Sequence, residues 1–127
     1  MAGGLKEEVA KLLERADKAL AVTKTLIDNG HFGDSMSKAY YAMFYAASAA
    51  LIQNDVIRHK HSATISAIGQ YFVKSGKLKA EFHQMLISAF EDREMADYNV
   101  AWNASADEAN ERYLSACVFV KAIKKVI

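Results

Sequence analysis

The sequence predicts an all-α protein, a single up-and-down bundle of about five helices. Three observations carry that expectation. The 127 residues include no proline, so nothing removes a backbone donor inside a helix. The six glycines, at 3, 4, 30, 33, 69 and 76, fall, Gly69 apart, in the N-terminal tail or between periodic segments. Within those segments apolar residues return every three or four positions, the spacing of one buried helix face.

Taken in order, Met1–Gly4 reads as a tail, and the first helix spans about Leu5 to Asp28. Val9, Leu12, Leu13, Ala16, Ala19, Leu20, Thr23, Leu26 and Ile27 make its buried face. In the break that follows, Asn29-Gly30 supplies a left-handed C-cap, and Asp34 or Ser35 is the expected N-cap of the next helix. That second helix, about Ser35 to Asn54, is apolar almost all round and is therefore placed at the centre. Its alanines at 39, 42, 46, 47, 49 and 50 let neighbours approach closely. A basic connection, Asp55 to His61, leads to a third helix over about Ser62 to Lys74, carried by Ile65, Ile68 and Phe72 and stopped at Ser75-Gly76. The fourth spans about Leu78 to Tyr98. The fifth opens at Ser105, where Ser-Ala-Asp-Glu reads as a capping box, and its inner face is Ala109, Tyr113, Ala116, Val120 and Ile123. No repeat or domain boundary interrupts the chain, so residues 1–127 are read as one domain with one sizeable core.

Composition narrows the function classes. Apolar residues make up 52% and charged residues 24%, an ordinary globular balance. A net charge of +1 provides no global field toward nucleic acid or membrane, so any anion site must be a local patch. The lone cysteine, Cys117, allows no intrachain disulfide and reads as a small buried side chain in a reducing compartment. No apolar run reaches the ~18 residues of a membrane span, and the N-terminus has no signal-peptide pattern. A soluble, cytoplasmic protein without membrane association is expected.

The stretch that asks for an explanation is Glu91-Asp-Arg-Glu-Met-Ala-Asp-Tyr-Asn99. The fourth helix has the apolar stripe Phe82, Leu86, Ala89 and Phe90. Arg93 falls three residues after Phe90 and four after Ala89, and Asp97 four later again, so both extend the inner stripe. A charge placed there needs a partner or a cleft. Asp97 is the nearest partner for the guanidinium fork. Glu91 and Glu94 fall on other faces and read as solvated. Tyr98 lies about 140° round from Arg93 on an ideal helix and joins it only if the helix end distorts. A buried ion pair tying down the helix end is the structural reading, and an anion-binding guanidinium is the functional one.

The order of "AYYAMFYAASAAL", "KHSATISAIGQYFVKSG" and "REMADYN" resembles the HEPN domain, in its small stand-alone branch with a Tyr-Tyr-Ala-Met-Phe stretch and a later Arg-x-x-Ala-Asp-Tyr. The resemblance covers nearly the whole chain. It implies a helical bundle, frequent homodimers, and membership of toxin–antitoxin modules beside a minimal nucleotidyltransferase, with ribonuclease activity in many members. It also implies a catalytic arginine followed four to six residues later by a histidine. Arg93 matches the arginine, but the residue five further on is Tyr98, followed by Asn99 and Val100.

That departure bears on the chemistry. Metal-free RNA cleavage needs the phosphate charge neutralised, which arginine does, and the 2′-hydroxyl deprotonated, which suits a histidine titrating near neutrality. Tyrosine, with a pKa near 10, is a poor base at pH 7 but can hydrogen-bond a phosphate. The expected phosphate-binding set is therefore Arg93, Asp97 and Asn99, with Arg93 and Tyr98 as the candidate catalytic pair and RNA or nucleotide as ligand.

Elsewhere the signals are weaker. Arg58-His59-Lys60-His61 reads as a solvated basic turn. Its histidines lack a third metal ligand nearby, so no metal is expected. His83 lies off the inner stripe and reads as surface, and His31 as a turn residue. Gly30-His31-Phe32-Gly33 follows a helix and lacks the lysine of a phosphate-cradling loop, so no cofactor is implied. Tyr40, Tyr41, Phe44 and Tyr45 are mainly core, with one face suited to a second subunit. Three functions remain: a HEPN protein binding RNA or nucleotide phosphate beside a nucleotidyltransferase, a metal-independent endoribonuclease toxin drawing its base from another position or from the second subunit, and a non-catalytic structural or interaction protein.

Overall fold

The computed structural model describes the backbone from residue 2 to residue 127 and the side chains from residue 6; of the expected tail, Met1 lies outside the described residues. The chain forms α1 (Ala2–Asp28), α2 (Phe32–Gln53), α3 (His61–Ile68), α4 (Ala80–Tyr98) and α5 (Ala106–Val126). A π-helical turn, Gly69–Val73, continues α3. The fold is all-α, as the periodicity predicts. α1 is helical from Ala2, earlier than the glycines suggested.

The first break is shorter than expected. Gly30 sits at φ 78°, its N–H reaches Ile27 O at 3.0 Å, and His31 N reaches Leu26 O at 2.8 Å. This pair of bonds closes α1 as a Schellman motif. It also delivers the chain so close to its return that α2 begins at Phe32, with His31 in the N-cap position and no side-chain cap. Asp34 and Ser35 are therefore first-turn residues rather than caps. The Ser35 hydroxyl donates back to Phe32 O at 2.6 Å, and Asp34 offers its charge to the positive end of the helix. α2 ends with the same bond pattern, this time around Asp55 at φ 61°. The capping box of α5 is present, with both reciprocal Ser105–Glu108 bonds formed.

α2 is the axis of the bundle and packs against α1, α3, α4 and α5. Tyr40, Met43 and six alanines of α2 are completely covered. Those alanines leave no side-chain bulk beyond Cβ, so the flanking helices close onto the α2 backbone and bury Ala16, Leu86, Ala116 and Phe119 against it. Two ion pairs fasten the outer helices: Lys124 to Asp17 at 2.7 Å joins α5 to α1, and Arg112 to Asp92 at 2.6 Å joins α5 to α4. Cys117 is half-buried. No helix among the described residues is long and apolar enough to cross a membrane.

Candidate functional site

The last turn of α4 lies across α2 at the height of Tyr40 and Tyr41, and its charged residues meet there. The Arg93 side chain is 13% exposed. Its Nη2 donates to the Tyr41 hydroxyl at 3.0 Å, and Nη1 lies 3.3 Å from Glu94 Oε1. Its Nε is 2.9 Å from Asp97 Oδ2 with the N–H directed off the oxygen, an ion pair without a directed hydrogen bond. The guanidinium is flanked by two rings, with its central carbon 5.5 Å from the Tyr41 centroid and 5.7 Å from that of Tyr98. Burial works against the Arg93 charge, but Tyr41, Asp97 and Tyr98 outweigh it and hold the pKa above its ordinary value. Asp97 is fixed in turn by Ser37 of α2, whose hydroxyl donates to Oδ1 at 2.7 Å.

The inner-stripe reading describes the position of Arg93; Asp97 reaches α2 through Ser37 but is itself exposed. Two neighbours differ from expectation. Glu94 is not free in solvent but closes the outer edge of the fork, because the arginine stem is long enough to reach a carboxylate on the adjoining face. Tyr98 reaches the guanidinium although α4 stays helical through it, and its own ring remains 71% exposed. Asn99 leaves the helix in an extended conformation, and its Oδ1 accepts from Ala101 N at 3.1 Å, so its amide NH₂ is the part left for a ligand.

The residue that sequence reasoning missed is His61. It is no solvated turn residue: it opens α3, half-buried, with its ring stacked on Phe44 at 4.3 Å and edge-on to Tyr41 at 5.8 Å. Its Nδ1 is 2.7 Å from the Tyr40 hydroxyl. Burial, and then the Arg93 charge, push its pKa below the ordinary value, which favours the neutral imidazole. Tyr40 is completely covered, and burial keeps its phenol protonated far above the usual range. When Nδ1–H donates to Tyr40, the Nε2 lone pair is free, the state a proton acceptor needs. The signal in the sequence was Tyr40-Tyr41 on the central helix, which required partners for two phenol hydroxyls.

His83 is also not a surface residue. Its Nε2 lies 2.9 Å from Ile65 O, and its ring covers Gly69 so closely that a Cβ there would stand 2.8 Å from Cε1. Among the described residues no three His, Cys, Asp or Glu side chains converge on a possible metal position.

Comparison with known proteins bears on the whole chain. The HEPN domain model matches residues 9–126. The protein is 37% identical to "UPF0332 protein glr0978" of Gloeobacter violaceus, over 86% of each chain. It is 31% identical to "Putative toxin MJ0605" of Methanocaldococcus jannaschii, over 97% of this chain and 91% of that one. A UPF0332 protein of Thermotoga maritima is 31% identical over 94% of both. The helical bundle, the order of its sequence stretches and these matches together place the chain in the HEPN domain family.

Proposed function

We propose that this chain is the HEPN component of a toxin–antitoxin-type pair, a homodimer that binds RNA or nucleotide phosphate at Arg93 and acts with a minimal nucleotidyltransferase. The toxin part of the reading is supported by relatives that bear the name "Putative toxin". The phosphate part rests on one observation, the uneven way in which Arg93 is held. Asp97 and Tyr41 grip it from the α2 side. Its outer Nη1 donates a long hydrogen bond, 3.3 Å, to Glu94, whose side chain is 45% exposed. A guanidinium pre-set on one edge and weakly engaged on the other suits a planar anion that displaces the carboxylate. Tyr98 and the Asn99 amide would add donors.

The test is thermal melting of wild type and Arg93→Ala with and without nucleotide. The wild type should gain stability with ligand, following mass action. Arg93→Ala should lose that gain. A large destabilisation in Arg93→Ala with no ligand-dependent shift in the wild type would refute the site and leave a structural arginine.

A second reading, a metal-independent endoribonuclease, gains support from the placement of His61. His61 Nε2 would take the 2′-hydroxyl proton. The 2′-oxygen would attack phosphorus while Arg93 neutralises the phosphate, and the 5′-oxygen would leave with a proton from solvent, giving a cyclic phosphate. RNA cleavage in EDTA, lost in both His61→Ala and Arg93→Ala, favours this reading. An uncleaved RNA pool returns the site to binding alone.

A further inference from the structure

Away from Arg93, a groove of about 470 Å³ runs between the start of α4 and the end of α5. Its floor is apolar, formed by Leu78 and Phe82 on one side and Val118 and Val126 on the other. Its rim carries Lys77, Lys79, Lys121 and Lys125, and among the described residues no carboxylate lines it. None of the four lysines is in an ion pair among the described residues. Lys125 also complements the negative end of α5, and Lys77 Nζ lies 5.8 Å from the Phe72 ring centroid, which leaves the Lys79 and Lys121 ammonium groups beside the apolar floor with no such role.

The apolar strip continues past the groove. Val118 is 48% exposed and Leu114, one turn earlier on the same face, 62%. From Leu114 to Val126 the strip is ~18 Å long at helical rise, about three turns. That length exceeds a small ligand and matches a helix laid along a groove, read by anchors one turn apart. A solvent-facing stripe of this kind, ringed by one sign of charge, marks a protein-binding surface.

We propose that the α4–α5 groove docks a segment of a partner protein, apolar along one face and flanked by aspartate or glutamate. The apolar floor supplies contact area and the lysine rim selects charge. A nucleic acid would use the lysines for its phosphates but leave the apolar floor, on which Phe82 is the one ring, without a matching surface. This surface shares no residue with the Arg93 site, and its test is independent of phosphate binding.

The test is photocrosslinking in the native host, with p-benzoylphenylalanine at exposed position 118 and, as a control, at exposed position 7. The crosslinked peptide is then sequenced by mass spectrometry. Position 118 should capture a segment of one other protein with apolar residues at three- and four-residue spacing and several carboxylates beside them. Lys121→Glu with Lys125→Glu should lower the yield at least tenfold while far-ultraviolet circular dichroism stays helical. Leu114→Ser, which removes an anchor and no charge, should lower it several-fold. A crosslink to this chain itself, a crosslink to RNA, a yield indifferent to charge reversal, or no product at position 118 would each overturn the proposal.

Discussion

At the residue scale the site is a competition for one guanidinium. Asp97 and Glu94 both face Arg93, and only Asp97 is anchored to the bundle, through Ser37. Glu94 should therefore act as the occupant a phosphate must displace. Glu94→Gln removes a negative charge beside the incoming anion without shortening the side chain, so nucleotide binding by titration calorimetry should tighten several-fold. Unchanged affinity would mean that ligand does not enter beside Nη1. His61 supplies a second prediction. Its pKa in the folded protein lies below the ordinary 6.5, so below pH 6.5 the unfolded chain binds protons that the folded one refuses. Stability is complete above pH 6.5 and is lost as pH falls from there through the folded value. The melting temperature should thus decline between pH 7 and pH 5 in wild type and markedly less in His61→Gln, where Glu108, with its pKa held low by Ser105, titrates only further down. Arg93 with Asp97 was legible because both lie on one helix at a fixed period. His61 was not, since its neighbours Tyr40, Phe44 and Phe90 come from two other helices, and local spacing carries no information about that meeting.

At the element scale the most informative departure is the end of α3. The sequence suggested one helix through Gly69 to Lys74, with Gly69 the exception to the glycine pattern. The backbone instead widens to a π-turn from Gly69, with Lys74 N bonded to Gly69 O at 3.1 Å. The glycine itself is explained on α4: the His83 ring occupies the volume above Gly69 to reach Ile65 O, and only a residue without Cβ permits it. Gly69→Ala would ordinarily stabilise a helical position by ~1 kcal/mol. Here it should destabilise by roughly 1–2 kcal/mol, because the ring must move and its hydrogen bond is lost. The sign should reverse in a His83→Ala background, where the ring is gone and Gly69→Ala expresses the ordinary helix preference. Chemical denaturation of the four proteins in that cycle measures it. Helix starts were less legible than helix existence. The Schellman turn at Gly30 decided where α2 begins, and its hydrogen bonds depend on the path of the chain rather than on which polar side chain is available to cap.

At the scale of the whole molecule, the bundle follows from α2. A helix apolar on every side has to be surrounded, and the segments before and after it have one apolar face each, so the architecture was readable from periodicity alone. What α2 leaves uncovered bears on assembly. Tyr40 is sealed, but Tyr41, Phe44 and Tyr45 keep part of their surface open. The guanidinium of the exposed Arg15 lies over the Tyr45 ring, 5.8 Å from its centroid. Three large rings adjoining one another on a central helix of a monomer form the apolar centre from which a standard interface, roughly 800 Å² per partner, can extend. Because Tyr41 also holds Arg93, a two-fold contact centred on these rings would bring the arginines of two protomers toward one another and exclude water from both. The expected outcome is a dimer in sedimentation velocity at micromolar concentration. Tyr45→Glu should convert it to monomer, since the substitution buries a carboxylate at the contact while leaving the Tyr41–Arg93 bond untouched. Lys121→Glu with Lys125→Glu should leave the dimer intact, because the α4–α5 groove uses other residues. A wild type that stays monomeric across that range would sink the shared-site arrangement, and each Arg93 would then act within a single chain, open to solvent on the side of Tyr98.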